Sequence, residues 1–354
     1  MLNRLFGLLT TDLAIDLGTA NTLISLAGDG VVLNEPSVVA IERSGRVLAD
    51  GCAVGHLARQ MLGRAPESIR VVRPLSEGVI RDFQLCETML RYFMRKAQRQ
   101  NWGVGPRVIV TVPGCITPVE KRAVYNSALR AGARQVYLLL ESKAAAIGAG
   151  LPIAEPVANM VCDIGGGTTE VAVMSLGDVV ASHSIRVGGD QMDAAIIDYL
   201  KKHCQLRIGT SGAERLRIEL GSAYPLEEEK TDEVSGVDVI SGLPRKAQIT
   251  SEQVRAALGD PLAHIIDAIK ETIDGCQPDL AADLVENGLV LTGGGALLRR
   301  LDRFVGEQTG LPCRVSRHAL EDVARGSQIC LEQFGRWRGF LESSDDDVPS
   351  RTAY

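Results

Sequence analysis

Two stretches far apart in the chain carry the same short pattern. Residues 14–24 read AIDLGTANTLI and residues 161–171 read VCDIGGGTTEV, aligning Asp16 with Asp163, Leu17 with Ile164 and Gly18 with Gly165, with an apolar pair before each aspartate. Each copy continues into an alternating apolar segment that runs to a turn signal, Gly28-Asp29-Gly30 or Gly177-Asp178, the pattern of a β-hairpin. Because each copy heads one half of the chain, the pattern reads as an internal duplication. At 354 residues the chain exceeds the ~250 residues at which a single core stops growing. Two similar lobes are therefore expected.

The intervening segments read as α/β. RVIVTVP (107–113) is a continuous β-branched run suited to a strand buried on both faces, and residues 119–133 follow with helical spacing. QVYLLLES (135–142) reads as a strand and KAAAIGAGL (143–151) as an alanine-rich helix ending at glycine. Further on, residues 193–204 and 211–223 read as helices and 234–250 as a polar hairpin. Residues 251–277 read as one long helix opened by capping signals at Ser251, Glu252 and Gln253. GLVLTGGGALLRRLDRFV (288–305) is again strand, glycine turn and helix. The final residues, from about 342, are charged and unpatterned and read as a disordered tail.

Three glycine turns thus follow strands: DLGTAN (16–21), DIGGGTT (163–169) and TGGGA (292–296). Glycine lets backbone N–H groups converge with no Cβ in the way, and such a nest binds anionic oxygens. An aspartate repels phosphate unless a cation stands between them, and Mg²⁺ is commonly held by one or two carboxylates plus phosphate oxygens. On this reading Asp16 and Asp163 hold a hydrated metal while the glycine and threonine donors hold phosphates. Each turn alone reads equally well as a plain hairpin turn capped by an aspartate. No Gly-Lys pair followed by Ser or Thr occurs, and no complete GxGxxG, which disfavours the P-loop and Rossmann readings.

A net charge of −6 argues against a nucleic-acid partner, and the basic run Arg95 to Arg99 reads as a solvated helix face. Eight cysteines without a CxxC pair fit a reducing compartment and no cysteine metal site. No stretch approaches the ~18 apolar residues that span a bilayer. The start, MLNRLFGLL, places Leu2, Leu5, Phe6 and Leu9 on one helical face behind Met1. So short a helix does not hold alone in water. That face either docks on the protein's own body or lies in a membrane interface.

The turns resemble, in order, the phosphate and adenosine motifs of the actin, sugar-kinase and heat-shock-chaperone ATPase superfamily. More narrowly, IDLGTANTLI, VVLNEPSVVAI, RPLSEGVIRDF, AAAIGAGLPI, DIGGGTTEVAV, RVGGD, GSAYP and VLTGGGALLRRLDR are similar to the MreB family of bacterial actin homologues, from about Leu2 to about Leu331. The resemblance implies an α/β, actin-like fold of duplicated ribonuclease-H-type lobes, with four subdomains around a nucleotide cleft. Subdomain IA would comprise 1–33, 77–150 and 318–341, and IB 34–76. IIA would comprise 151–186 and 246–317, and IIB 187–245, leaving 342–354 as tail.

It also implies ATP and Mg²⁺ as cofactors. Gly18, Thr19, Ala20, Asn21 and Gly165, Gly166, Gly167, Thr168, Thr169 would bind phosphates, with Asp16 and Asp163 on the metal. Glu214 and Arg217 would contact ribose or adenine, Arg217 standing where the family has lysine, and Gly293, Gly294 and Gly295 would floor the adenosine pocket. Glu141 would orient the attacking water, with Thr168 beside the γ-phosphate. The family favours Glu-Glu-Pro-Met here; this chain has Leu140-Glu141-Ser142-Lys143, losing a proline and gaining a cation. The plainer reading of Glu141 is a carboxylate at a helix N-terminus.

The expected activity is slow ATP hydrolysis coupled to polymerisation into paired protofilaments. These would lie on the inner face of the cell membrane, working with membrane proteins of wall synthesis to maintain rod shape. The N-terminal apolar face fits that location, as does Trp102 in QNWGVG, which reads equally well as a core residue. Two other readings stand beside this one: a divergent paralogue that binds nucleotide but hydrolyses it weakly, and a monomeric ATPase or kinase on the same fold.

Overall fold

The structure, a computed structural model, describes residues 11–42, 53–98 and 105–343. Met1, Leu2, Leu5, Phe6, Leu9, Trp102, Cys52 and residues 344–354 lie outside the described residues. The chain divides into two compact units, Met1–Ala154 with Glu321–Tyr354, and Glu155–Leu320.

Each unit is built on a five-stranded sheet. In the first, the strands are β1 (Leu13–Leu17), β2 (Asn21–Leu26), β3 (Gly30–Pro36), β4 (Arg107–Val112) and β5 (Gln135–Leu140). In the second they are β6 (Asn159–Ile164), β7 (Thr169–Ser175), β8 (Asp178–Ile185), β9 (Leu289–Thr292) and β10 (Cys313–Val315). The orders are β3-β2-β1-β4-β5 and β8-β7-β6-β9-β10. In each sheet the first three strands form an antiparallel meander, and the last two add in parallel to the meander's first strand. Both meanders also carry a register shift in a flanking pair, at Ile24/Ser25 and at Val173/Met174. The duplication seen as one short repeat therefore extends through a whole sheet.

Hydrophobic patterning accounts for the elements. β4 is buried at all but its first residue, as a run lacking alternation requires of a strand covered on both faces. Helix Phe83–Ala97 buries Leu85, Cys86, Met89, Leu90, Phe93, Met94 and Ala97, the i, i+3, i+4 stripe of an amphipathic helix. Its Asp82 side chain caps the N-terminus by accepting from the Leu85 N–H at 3.0 Å. Full burial of each large side chain in that stripe is worth about 1.5–3 kcal/mol. In the second unit, Met160, Cys162 and Ile164 of β6 pack with Ile265 and Ile269 of helix Gly259–Asp274.

Two expectations are corrected. Residues 251–277 are not one helix but two, Ser251–Ala257 and Gly259–Asp274. Pro261 cannot donate to the Ala257 carbonyl, and its ring crowds that turn, so the helix restarts. The cap is Thr250 rather than Ser251, since the Thr250 hydroxyl and the Gln253 side chain form a reciprocal capping box. The expected strand 135–142 also ends at Leu140, with Glu141 as the first residue of helix Glu141–Gly148.

That helix packs on Asp322–Glu332 at backbone distance. A Cβ on Gly148 would stand 1.8 Å from the Asp322 carbonyl oxygen, and one on Gly326 would stand 1.9 Å from that of Ala144. No rotamer relieves a clash with backbone. Gly326→Ala is therefore expected to destabilise the protein by about 1–3 kcal/mol, the cost of overpacking, read as a lower denaturation midpoint in urea. An unchanged midpoint would contradict this packing.

Candidate functional site

In both sheets the candidate residues stand at the carboxyl ends of parallel strands, where open α/β sheets place their ligands. In the first unit Asp16 is near the end of β1, Thr111 near the end of β4, and Glu141 directly follows β5. The Thr111 hydroxyl donates to Asp16 Oδ1 at 3.0 Å. In the second unit Asp163 is near the end of β6, and the hydroxyl of Thr292, at the end of β9, donates to Asp163 Oδ1 at 2.9 Å. The same carboxylate is thus held by the same kind of donor from the equivalent neighbouring strand. Sequence reasoning missed both threonines. Their signal was a hydroxyl residue closing an otherwise apolar strand, in RVIVTVP and in VLTGGG.

The first turn is braced from behind by Ser37. Its hydroxyl donates to the Gly18 carbonyl at 2.6 Å and its N–H to the Ala20 carbonyl at 2.9 Å. Ser37 has only one hydroxyl hydrogen, so the 2.9 Å contact with Thr22 is donated by Thr22. A planar trans peptide points its N–H opposite to its C=O. Pinning the Gly18 carbonyl on Ser37 therefore turns the Thr19 N–H to the other side. Gly18 itself admits no side chain, since a Cβ would lie 2.6 Å from the Asn21 carbonyl oxygen. Thr19, 6% exposed, accepts from the Gly78 N–H at 3.0 Å through its hydroxyl oxygen. The SEGV turn of the RPLSEGVIRDF stretch thereby supports the first loop.

The second turn is braced by the start of helix Gly189–His203. The Gly189 N–H donates to the Gly165 carbonyl at 3.0 Å and the Asp190 N–H to the Gly166 carbonyl at 2.7 Å. By the same planarity the N–H groups of Gly166 and Gly167 face away from that helix, side by side, as an anion nest requires. Gly188 allows this approach, because a Cβ there would stand 2.7 and 2.9 Å from those two carbonyl oxygens. The Gly165 N–H closes the turn on the Thr168 carbonyl at 2.8 Å. Thr168 is 7% exposed and Thr169 fully buried. The Thr169 hydroxyl donates to the Val187 carbonyl at 2.7 Å. Its side chain therefore has no proton left for a phosphate oxygen, and it ties β7 to the segment entering the helix.

The third turn packs beneath the second. Gly293 has φ +80°, and a Cβ there would lie 2.4 Å from the Ile164 carbonyl oxygen and 2.7 Å from Asp163 Oδ1; on Gly295 it would lie 2.2 Å from Ile164 Cγ2. Gly294 is looser, its nearest neighbour being Leu320 at 3.4 Å. Two of the three glycines are thus demanded by close packing against β6.

Glu214 and Arg217 share a face of helix Thr210–Leu220. Arg217 Nε donates to Asp193 Oδ1 at 2.6 Å, and a Cβ on Gly189 would lie 3.3 Å from Arg217 Nη2. The guanidinium is held against the N-terminus that braces the second turn. Burial raises the Asp193 carboxyl pKa above its usual value, opposed by Arg217. The GSAYP stretch anchors this helix, with the Ala223 N–H donating to the Arg299 carbonyl at 2.8 Å just beyond the third turn. The resemblance gave no part to Ser37, Gly188 or Asp193.

The donor set suits a magnesium nucleotide. Each unit offers one oriented carboxylate and one glycine turn with an outward N–H, and a hydrated Mg²⁺ asks for one or two carboxylates besides water and phosphate oxygens. Among the described residues no group of three or more His, Cys, Asp or Glu is placed to hold a metal by itself. Thr292→Val is expected to cost about 1.5–3 kcal/mol of stability, the worth of a hydrogen bond to a charged group. Thr111→Val is expected to cost less, because Asp16 is less buried than Asp163. Chemical denaturation of both variants checks the order, and equal stability to wild type would contradict it.

The sequence model of the MreB/Mbl protein family matches residues 10–338. The cell shape-determining protein MreB of Escherichia coli (strain K12) is 49% identical over 348 residues, covering 98% of this chain and 100% of that protein. MreB5 of Spiroplasma citri, solved with ADP and with AMPPNP, superposes with a TM-score of 0.87 at 34% identity, covering 93% of this chain and 98% of that one. MamK in a double helical filament superposes with a TM-score of 0.77 over 91% of this chain and 99% of that one; at 20% identity it bears on the fold alone. The two matching five-stranded sheets and these superpositions make the fold actin-like. The chain belongs to the MreB/Mbl family of actin-like cell shape-determining proteins.

Proposed function

We propose that this chain is an actin-like cytoskeletal protein that binds ATP with Mg²⁺, polymerises, and hydrolyses the nucleotide slowly. The observation carrying the reading is the doubled arrangement of a threonine-held carboxylate beside a glycine turn whose carbonyls are pinned from behind. MreB5, 34% identical, is known with ADP and with AMPPNP, which supports nucleotide as the ligand. Asp16 and Asp163 would hold the magnesium ion, whose charge would neutralise the phosphates. The outward N–H groups of Thr19, Gly166 and Gly167 would donate to phosphate oxygens, together with Thr168. Glu214 and Arg217 would take the nucleoside, over Gly293 to Gly295. The four-subdomain division expected above is part of the same proposal.

Glu141 is the proposed water-orienting carboxylate, since phosphoryl transfer is accelerated mostly by positioning and charge neutralisation. Weak hydrolysis is a second reading, favoured by Ser142, whose backbone lacks the constraint a proline would impose. Glu141→Ala is expected to slow phosphate release by about 10²-fold while leaving nucleotide binding intact. Equal rates would remove Glu141 from its role.

The cellular role proposed is rod-shape maintenance with wall-synthesis proteins, in filaments on the inner face of the cell membrane. The E. coli relative is itself a cell shape-determining protein. Among the described residues no helix is long and apolar enough to cross a membrane. Attachment is proposed through Met1, Leu2, Leu5, Phe6 and Leu9, the apolar face that the sequence MLNRLFGLL would give a helix, with Trp102 as a second contact. Sedimentation with ATP, ADP or no nucleotide is expected to show nucleotide-dependent polymer, and its absence at micromolar protein would contradict the cytoskeletal reading. Deleting residues 1–9 is expected to abolish most co-sedimentation with liposomes, and undiminished binding would overturn that assignment.

A further inference from the structure

The segment that carries Glu141 is gripped on both sides by the end of the described chain. Three residues before Glu141, Leu138 exchanges two backbone hydrogen bonds with Glu342, at 2.9 and 3.0 Å. Glu342, which the sequence places in the tail, is further tied by the Lys121 ammonium at 2.7 and 2.9 Å. Two residues after Glu141, the Lys143 ammonium lies 5.4 Å from the centre of the Phe340 ring.

Between these points the strap from Phe334 to Ser343 is built of aromatic contacts. Phe334 meets Tyr137 edge-on at 4.9 Å, and Phe340 meets Trp337 edge-on at 5.0 Å. Arg107 lies over Phe334 at 4.1 Å, and Arg338 over Tyr137 at 5.0 Å. Arg338 also donates to the Leu341 carbonyl at 2.9 Å, closing the strap on itself.

The Glu141 helix starts without a side-chain cap. Its N-cap, Leu140, has no side chain able to accept from the helix, and Ser142 leaves its backbone φ unfixed. We propose that the strap Phe334–Ser343 is a clamp on the strand-to-helix junction at 138–143, and that Phe340, acting through Lys143, is a positioning residue for Glu141 in hydrolysis. This deepens the reading of Glu141 given above and rests on it. Lys143 takes part because its stem leaves the same first helical turn as Glu141. A ring held by Trp337 then limits how far that turn can swing.

The experiment uses the full chain with magnesium ATP and three variants: Phe340→Leu, Phe340→Tyr and Lys143→Met. Removing the cation–ring contact is expected to lower kcat for phosphate release roughly three- to thirtyfold, with KM and ADP affinity within about twofold of wild type. Tyrosine restores the rate. The double variant Phe340→Leu/Lys143→Met is no slower than either single one, because both remove one shared contact. Amide exchange at residues 139–145 quickens in Phe340→Leu and Lys143→Met and not in Phe340→Tyr. Wild-type kcat and exchange in both single variants would overturn the clamp, as would rate losses that multiply in the double variant. Failure of the hydrolysis reading looks different: wild type itself would release no phosphate, or Glu141→Ala would match it.

Discussion

The interaction on which the site depends is a hydroxyl-to-carboxylate hydrogen bond between neighbouring parallel strands, made once in each unit. Asp163 is 7% exposed, and a carboxylate so placed is costly unless it is hydrogen-bonded. The Thr292 hydroxyl donates to one of its oxygens, as the Thr111 hydroxyl does for Asp16. In each case the donor comes from the first crossover strand and not from the hairpin that carries the carboxylate. A hairpin alone therefore cannot make this site. The parallel strand must already be in register, which ties the orientation of each carboxylate to completion of the sheet.

A second constraint follows from peptide planarity. A turn becomes an anion cradle only if its carbonyls are drawn off to one side, and the two units do this differently. Ser37 serves the first turn with a side-chain hydroxyl and its own N–H. The second turn uses the first N–H groups of a helix, made reachable by Gly188 and Gly189. The Asp193–Arg217 pair then stacks a fixed cation behind that helix start. With the third turn packed on Ile164 through Gly293 and Gly295, the glycines of the second unit form a layered backbone contact. Side chains are excluded there for steric reasons before any ligand is considered.

Much of this was legible in the sequence because it is local. The repeated aspartate–glycine pattern, the continuous apolar run of β4 and the glycine turn after β9 each announce their geometry within a few residues. What was illegible is contact between segments distant in the chain. Thr111 and Thr292 are ordinary strand residues until the sheet order sets them beside Asp16 and Asp163. The strap's hold on Leu138 likewise joins residues some two hundred positions apart, and no periodicity reports it. The helix break near Leu258 is a different miss, since Pro261 was visible and the apolar spacing on either side masked it. Thr169 shows what a turn motif leaves out: the motif places a threonine in a phosphate-like turn, and the fold sends its hydroxyl proton to Val187.

The proposed function requires that one magnesium nucleotide engage both carboxylate-headed turns. The most direct measurement is titration calorimetry of a non-hydrolysable ATP analogue against wild type, Asp16→Asn, Asp163→Asn and the double variant, with Mg²⁺ and with chelator. The account predicts one nucleotide per chain, binding that collapses without Mg²⁺, and a double variant no weaker than either single one, because one shared ion is lost in every case. Two nucleotides per chain, or binding indifferent to Mg²⁺ and to either substitution, would contradict it.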